Sequence, residues 1–287
     1  MRPVFPALFV LLLAGCVAAQ GPQLELVPVA DFPSSLTETS GLARWQQGFV
    51  SHNDSGNDPE LFVLNDAGNL TARHAVAFDN HDWEDIAVHE STLYLADIGN
   101  NRGRRRDLRI LPLVANGRHL IPQTPLEIRY AEQHEFQPPR HQHNFDAEAL
   151  TWVEGELWLL TKRWLDQHTA IYKVLPTAGN TSLVEQQQLN TDMLVTGADY
   201  DADTQTLLLV GYSRNWFNRR AWLWLYPVRD GRVDEAGGRR FILSRSGQFE
   251  GIALGHDDAI YFTREGHATN LFRSRLPLTT LLIDTPH

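Results

Sequence analysis

Thr39-Ser40-Gly41-Leu42 is the first of five related segments in a chain of 287 residues. Each segment contains a polar or acidic residue, a small or acidic residue and an apolar residue, and then runs into a β-rich stretch. Counted from their second residues, the copies begin at positions 40, 84, 148, 196 and 250, and the later four are Trp83-Glu84-Asp85-Ile86, Ala147-Glu148-Ala149-Leu150, Val195-Thr196-Gly197-Ala198 and Phe249-Glu250-Gly251-Ile252. Repetition at this spacing, with four short strands in each repeat, is typical of propeller blades.

The sequence therefore predicts an all-β fold, a β-propeller of five blades with four antiparallel strands each. Six blades are the alternative, which requires dividing the long step from residue 84 to residue 148. The fifth repeat runs out of chain after Leu278, so residues 24–29 are expected to supply its outer strand, and ring closure then leaves no long sheet edge exposed. Outer strands of the other blades are predicted at residues 72–78, 126–130, 183–189 and 240–243.

The N-terminus carries the features of a secretory signal. Arg2 precedes a short apolar run that ends in Leu13-Ala14-Gly15-Cys16, and this sequence resembles the bacterial lipobox. Cys16 is the only cysteine of the chain, so a lipid anchor is expected there and an internal disulfide is excluded. We expect a signal peptide at residues 1–15, a lipidated tether at residues 16–23 and one propeller domain at residues 24–287. Val17 after the cysteine favours an outer-membrane location facing the periplasm.

The charge of the chain limits its partners. A formal net charge of −10 argues against nucleic acid and anionic lipid headgroups as partners. Membrane contact is therefore expected only through the lipid anchor. The protein is expected to be a monomer. The basic run from Arg102 to Arg109 is the local exception. It is either a solvated loop paired with neighbouring acids or a clamp for a phosphate or carboxylate, because arginine matches both anions.

Polar clusters recur at two positions of every repeat, at the start of the first strand and at the end of the second. Because these strands are antiparallel, both positions lie at the same end of the sheet, around one mouth of the central channel. We expect ligand-binding residues there at Asn53, Asp54, Asp85, Asn101, Asp199 and Arg264. Catalytic groups are expected at His52, Lys162, Arg163 and Arg214.

A ring of carboxylate and amide oxygens is the ligand set that Ca²⁺ prefers. The predicted metal ligands are Glu84, Asp97, Asn100, Glu148 and Glu250. The opposing interpretation is architectural, because acids repeated at blade starts can bind backbone N–H groups and lock the ring. Ser40 and Thr196 replace the acid in two copies. If the acid served only to hold neighbouring blades together, the same residue would be expected in every copy. His141 and His143 could also hold a metal on one face of an extended loop.

The motifs together resemble a family of secreted bacterial propeller lipoproteins without established activity. The resemblance covers residues 36–276 and rests on His52-Asn53-Asp54-Ser55-Gly56, Asp82-Trp83-Glu84-Asp85-Ile86-Ala87, Ala96-Asp97-Ile98-Gly99-Asn100-Asn101, Asp146-Ala147-Glu148-Ala149-Leu150, Thr161-Lys162-Arg163 and Val195-Thr196-Gly197-Ala198-Asp199. More distantly the chain is similar to SdiA-regulated and esterase-like phytase propellers, and beyond them to the Ca²⁺-dependent gluconolactonase and paraoxonase group. The resemblance implies the propeller fold and leaves the activity open.

Two hypotheses about function follow. The first is a binding module of the cell envelope that offers the channel face to a small anionic or ester-like ligand, or to an envelope protein through Trp164, Trp216 and Phe217. The second is a Ca²⁺-dependent hydrolase of an ester, lactone or phosphoester, in which Lys162, Arg163 and Arg214 stabilise developing negative charge.

Overall fold

Residues 21–283 are described by a computed structural model, apart from residues 118, 178, 216, 218, 267 and 269. The predicted signal peptide, Cys16 and Trp216 therefore lie outside the described residues, as does most of the predicted tether. Among the described residues, no helix has both the length and the apolar character that a membrane span needs.

Five sheets form a closed ring, which confirms the prediction of a five-bladed propeller and excludes six blades. The innermost strands coincide with the five repeated segments and are Thr39–Trp45, Trp83–His89, Ala147–Val153, Leu194–Asp201 and Phe249–Leu254. Each innermost strand lies against the next one along the chain, and the fifth lies against the first. The blades are numbered 1 to 5 in this order.

The outward strands of each blade complete antiparallel sheets. The second strands are Gly48–Asn53, Thr92–Asp97, Glu156–Thr161, Thr206–Tyr212 and Ala259–Arg264. The third strands are Glu60–Asn65, Arg109–Asn116, Thr169–Val174, Ala221–Arg229 and Leu271–Pro277. The fourth strands are Leu70–Ala75, Leu126–Tyr130, Gln187–Leu189, Arg239–Leu243 and Leu26–Ala30. Short additions are the strands Gln23–Leu24, His119–Pro122, Asn180–Leu183 and Arg232–Val233, the 3-10 helix Glu235–Gly237 and the α-helix Leu278–Ile283.

The N-terminal segment closes the ring as predicted. Leu26–Ala30 pairs antiparallel with Leu271–Pro277 and becomes the outer strand of blade 5. Just before it, Gln23–Leu24 pairs in parallel with Arg239–Leu243 of blade 4. One short stretch of chain therefore ties two neighbouring blades together, which the sequence did not indicate.

The outer strand predicted at residues 183–189 is wrong in its extent. Asn180–Leu183 leaves blade 3 and pairs in parallel with Leu126–Tyr130 of blade 2, so that only Gln187–Leu189 completes blade 3. The swap covers the edge of blade 2, whose third strand is already extended by the hairpin strand His119–Pro122. Covering the exposed edge of blade 2 pairs a row of backbone groups that would otherwise lack partners. This pairing takes the place of one continuous outer strand in blade 3.

A β-bulge occurs in the same place in every blade. The pairing of the first and second strands shifts register at the repeated motif, between Thr39 and Leu42 in blade 1 and between Trp83 and Asp85 in blade 2. The other three blades shift in the same way, around Glu148, Thr196 and Glu250. A bulge turns a side chain out of the strand alternation. The residue that varies between the copies of the motif is therefore the one whose side chain the bulge redirects.

The glycine after the bulge is explained by close approach between blades. A Cβ at Gly251 would lie 2.8 Å from the backbone nitrogen of Leu42 in blade 1 and 2.5 Å from Oγ1 of Thr263. A Cβ at Gly197 would lie 2.5 Å from the carbonyl oxygen of Glu250 in blade 5. In blades 4 and 5, the absence of a side chain at this position allows the inner strands to pack this closely.

Aromatic and aliphatic side chains fill the spaces between neighbouring sheets. Trp83, Phe249 and Phe262 are fully buried, and the rings of the last two meet edge to face with centroids 6.2 Å apart. Each hydrophobic cluster draws residues from two adjacent blades, such as blades 2 and 3. Burial of apolar surface between sheets therefore holds the ring around its channel.

We expect the substitution Gly251→Ala to lower the free energy of unfolding by about 2 kcal/mol, because its methyl group must displace the backbone of blade 1. Urea denaturation at an unchanged slope would measure the loss. The matched control is Gly179→Ala, where the added methyl group meets open space and the change should stay within about 0.5 kcal/mol. Equal effects of the two substitutions would contradict the close-approach explanation.

Candidate functional site

The blade starts and the second-strand ends surround a pocket of about 410 Å³ at one mouth of the channel. We call it the channel-mouth pocket. Of the residues predicted from the sequence, those that line it are Asp54, Glu84, Asn101, His141, Glu148, Lys162, Trp164, Arg214 and Glu250. All five blades contribute to its wall. Its volume falls within the range of small-molecule sites.

Glu84, Glu148 and Glu250 are the bulge residues of blades 2, 3 and 5, and all three line this pocket. The two bulge residues that are not acidic make a different contact. The hydroxyl of Ser40 donates to the carbonyl of Glu84 at 2.7 Å, and the hydroxyl of Thr196 donates to the carbonyl of Phe249 at 2.6 Å. Serine and threonine therefore lock neighbouring blades together, whereas the glutamates present carboxyl groups to the pocket.

A tight group of three acids lies at one side of the channel-mouth pocket, and two of them, Asp54 and Glu84, line it. Ligand oxygens of Asp54, Asp82 and Glu84 all lie within 4.8 Å of one another. Burial raises the pKa of Asp54 to about 7, and the nearby carboxylates of Asp82 and Glu250 add to the increase. Burial also raises the pKa of Asp82, and burial followed by the charges of Glu148 and Asp54 raises the pKa of Glu84 well above its usual value.

Glu84 has no compensating partner among the described residues. Its side chain is buried, at 4% exposure, yet no described N–H or O–H group donates to its carboxylate. A buried carboxylate without a donor costs several kcal/mol if it stays ionised. The group therefore holds a proton or attracts a cation.

The other side of the channel-mouth pocket carries a buried cation. Nζ of Lys162 lies 2.8 Å from Oε2 of Glu148, and both side chains are almost fully buried. The ammonium group also lies over the rings of Trp164 and Tyr212, at 5.2 and 5.4 Å from their centroids. Burial is the largest single influence and opposes the charge, but the combined attraction of Glu148, Tyr212, Glu250 and Asp146 outweighs it and raises the pKa of Lys162 well above its usual value. Lys162 is thus a fixed positive charge and a poor nucleophile.

Polar and aromatic groups complete the rim. The hydroxyl of Tyr212 donates to Glu250 at 3.3 Å, and Nε2 of Gln248 donates to the same carboxylate at 3.1 Å. The rings of His141 and Trp164 are stacked with centroids 3.7 Å apart, and Arg214 donates to the carbonyl of Trp164. The wall therefore offers acceptors on one side and a cation with flat rings on the other.

Asp85 and Asp199 lie deeper and hold the blades together. Asp85 accepts the backbone N–H of Ile86 at 2.8 Å, that of Leu150 in blade 3 at 2.9 Å and, more weakly, that of Ala198 in blade 4 at 3.4 Å. Asp199 accepts the N–H groups of Tyr200 and, from blade 5, Leu254. Burial still raises the pKa of Asp199 to about 6. The structure thus gives these two acids the locking role and does not place them in the channel-mouth pocket.

The remaining predicted residues are engaged elsewhere. Asp97 pairs with Arg105 and Arg109, each at 2.9 Å, so the basic loop is anchored through these two arginines on this acid. Asn100 donates to Phe145, Asn53 donates to Ser35, Arg163 pairs with Asp166, and Arg264 donates to the carbonyls of Ser246 and Ala268. None of these side chains is among those that line the channel-mouth pocket.

His52 and the histidines of the long loop also have structural contacts. Nδ1 of His52 donates to the carbonyl of Asn53, and burial lowers the pKa of this imidazole to about 4. His52 is therefore neutral and packs edge-on against Trp83. His143 is held between Asn101 and Phe145, so it does not share a ligand with the stacked His141.

Sequence reasoning missed three residues of the site. Asp82 belongs to the same motif as Glu84, but it precedes the bulge position that repeats between blades. Tyr212 and Gln248 each stand next to a repeated cluster and contact Glu250. Their positions, at the end of a second strand and just before a first strand, are the signal that could have identified them.

Neither the models of known protein families nor the sequences of curated proteins give a match to this chain. Solved structures do. A crystal structure of glucose dehydrogenase superposes with a TM-score of 0.52 at 10% identity, covering 86% of this chain and 98% of its own. A second glucose dehydrogenase gives 0.51 at 10% identity, covering 88% and 99%. The calcium structure of a Trichoderma reesei carbohydrate-active enzyme of family AA12 gives 0.50 at 9% identity, covering 89% and 97%.

These similarities establish the propeller fold. At this level of identity they do not transfer an activity, and they do not bear on the finer resemblance to SdiA-regulated or phytase propellers.

We expect Asp54→Asn to stabilise the protein at pH 8 in EDTA by about 1–2 kcal/mol, and to have little effect near pH 4. The folded protein holds the Asp54 proton up to about pH 7, whereas the unfolded chain releases it near 3.8. Stability conferred by the wild-type residue therefore falls as pH rises through this interval. Asparagine keeps an oxygen for the N–H of Ser55.

Urea titrations at both pH values would test this expectation. The matched control is Asp31→Asn at an exposed position, where little change is expected at either pH. Destabilisation by Asp54→Asn at pH 8 in EDTA would mean that its charge is satisfied within the protein.

Proposed function

We propose that the protein is a ligand-binding module of the cell envelope. Its channel-mouth pocket binds a calcium ion and, beside the ion, a small anionic or ester-like molecule. The observation that carries the proposal is the buried carboxylate of Glu84, which has no described donor and lies within 4.8 Å of oxygens from Asp54 and Asp82.

The residues present fit a hard cation. Ca²⁺ takes six to eight oxygen ligands, and three carboxylates can supply from three to six of them. Asp54, Asp82 and Glu84 would hold the ion, whose charge would favour their ionised forms. A propeller of the same overall fold is described in a calcium structure, which makes Ca²⁺ the first ion to test.

The opposite wall of the pocket suits the negative end of a ligand. Lys162 keeps its charge beside Glu148, and Arg214 lies at the rim. A carboxylate or phosphoryl oxygen placed between the ion and these cations would be attracted from both sides. The stacked rings of His141 and Trp164 would border such a molecule.

The location of the module belongs to the same proposal. We infer attachment through a lipid at Cys16 to the outer membrane, with the monomeric propeller facing the periplasm. The lone cysteine within the lipobox-like Leu13-Ala14-Gly15-Cys16 supports this location. An envelope protein is the alternative partner, and the exposed ring of Phe217, in the segment between the pocket residues Arg214 and Arg219, favours it.

Addition of millimolar Ca²⁺ to the EDTA-treated full-length protein should raise Tm by about 5 °C. The substitution Glu84→Gln should remove this increase, because the amide cannot supply the same charge. Differential scanning fluorimetry would measure both. Glu156→Gln, which changes a surface carboxylate paired with Lys173, should retain the full increase. An unchanged Tm of the wild type would refute the calcium site.

Calcium-dependent hydrolysis is the second candidate function, and the buried Lys162 ammonium favours it. A fixed cation in a water-poor pocket stabilises the oxyanion that forms when an ester or lactone is attacked. The bound ion would polarise the carbonyl oxygen.

If the protein is a hydrolase, it should release 4-nitrophenol from 4-nitrophenyl butyrate or bis(4-nitrophenyl) phosphate in a Ca²⁺-dependent manner. The double substitution Lys162→Gln, Glu148→Gln should lower the rate about 100-fold. Replacing both partners leaves no unpaired buried charge, so the fold should persist. If the wild-type protein hydrolyses these esters no faster than the Glu84→Gln variant does, their hydrolysis is excluded and the binding function remains.

A further inference from the structure

A second cavity, of about 590 Å³, opens at the other mouth of the channel. It is larger than the channel-mouth pocket and shares no lining residue with it. Asp85 lies between the two cavities. Its neighbour Glu84 lines the channel-mouth pocket, and its other neighbour Ile86 lines the second cavity. The carboxylate of Asp85 itself bonds blade 2 to blade 3 across the channel. We call the second space the opposite cavity.

The wall of the opposite cavity is apolar and built from short side chains. Ala43, Ala87 and Ala198 come from blades 1, 2 and 4, and Leu42, Ile86 and Leu150 complete the shaft. All six are buried. Methyl side chains on the wall leave the channel wide at this end, and apolar surfaces of this kind bind the hydrocarbon part of a ligand.

Aromatic rings border the opening. The rings of Trp152 and His89 are stacked with centroids 4.0 Å apart and planes inclined by 8°, and Tyr94 stacks on Trp152 at 5.6 Å. The hydroxyl of Tyr200 donates to Glu154 at 3.3 Å. These contacts hold the rings in place before any ligand arrives, which lowers the entropic cost of binding.

The charge of the opposite cavity is negative. Asp199 lines the wall and is partly exposed, and Glu154 stands exposed at the rim. The one arginine among the lining residues, Arg44, is already paired with Asp66 at 2.9 Å, and His89 is stacked on Trp152. An anion would therefore be repelled by two carboxylates, whereas a cation would be attracted by both and would lie beside the aromatic side chains of the opening.

We propose that the opposite cavity is a second binding site, for a small organic cation with a flat apolar body, such as an aromatic or alkyl ammonium. Its apolar part lies along the alanine-lined shaft. Its ammonium group lies between Asp199, Glu154 and the aromatic rim. The site is independent of the calcium and the ligand proposed for the channel-mouth pocket.

Benzyltrimethylammonium is the probe that matches this chemistry. Isothermal titration of the full-length protein should give a Kd on the order of 1 mM or tighter. Benzyl alcohol, which lacks the charge, should bind at least 10-fold more weakly, and benzoate should not bind. Absence of heat with the cation, or equal binding of benzoate, would overturn the proposal.

Variants locate the site. Ala87→Leu fills the shaft and should abolish binding of the cation. Glu154→Gln, at an exposed position that does not disturb the core, should weaken binding several-fold. Glu84→Gln, at the other mouth, is the control and should leave the affinity unchanged. Unchanged affinity in Glu154→Gln would refute the site even if Ala87→Leu failed to fold, and a loss in Glu84→Gln would place the cation in the channel-mouth pocket instead.

Discussion

Closure of the ring is the constraint on which the rest of the structure depends. Five sheets can face one channel only if the last packs against the first, and here the chain achieves this by lending Leu26–Ala30 to the sheet that contains Leu271–Pro277. The close spacing of the innermost strands, with glycine where neighbouring backbones nearly touch, brings side chains from all five blades within reach of one mouth. The channel-mouth pocket is thus a product of closure and not of any single blade.

The acids around the channel fall into two energetic classes. Asp85 and Asp199 receive N–H groups from their own and neighbouring blades, so part of the cost of burying them is offset by charge-assisted hydrogen bonds. Glu84 receives none from the described residues. The locks between blades are made by Ser40, Thr196, Asp85 and Asp199, whereas the glutamates at the bulges of blades 2, 3 and 5 present carboxyl groups to the pocket. A site that destabilises the empty protein is a common sign of binding function.

The sequence carried enough information for the blade number, the inner strands and the mouth at which polar residues collect, because all three follow from a repeated local pattern. It did not reveal which polar residues face the pocket. Asp97 looks like its neighbours in sequence, but Arg105 and Arg109 from a blade-specific loop draw it away. The exchange of Asn180–Leu183 into blade 2 depends on an exposed edge 53 residues earlier in the chain. These features depend on contacts that occur in one blade only, so a pattern repeated in every blade cannot predict them.

The double attachment of the N-terminal segment has a mechanical consequence. Gln23–Leu24 is bonded to blade 4, and Leu26–Ala30 is bonded to blade 5. Any tension on the chain upstream of Gln23 is therefore borne first by a two-residue parallel pairing and then by a strand whose hydrogen bonds are loaded together in shear. Pulling from this end strains the seam of the ring before it reaches any other blade. The stiffness of that seam sets how much force the propeller withstands when it is held by its N-terminus.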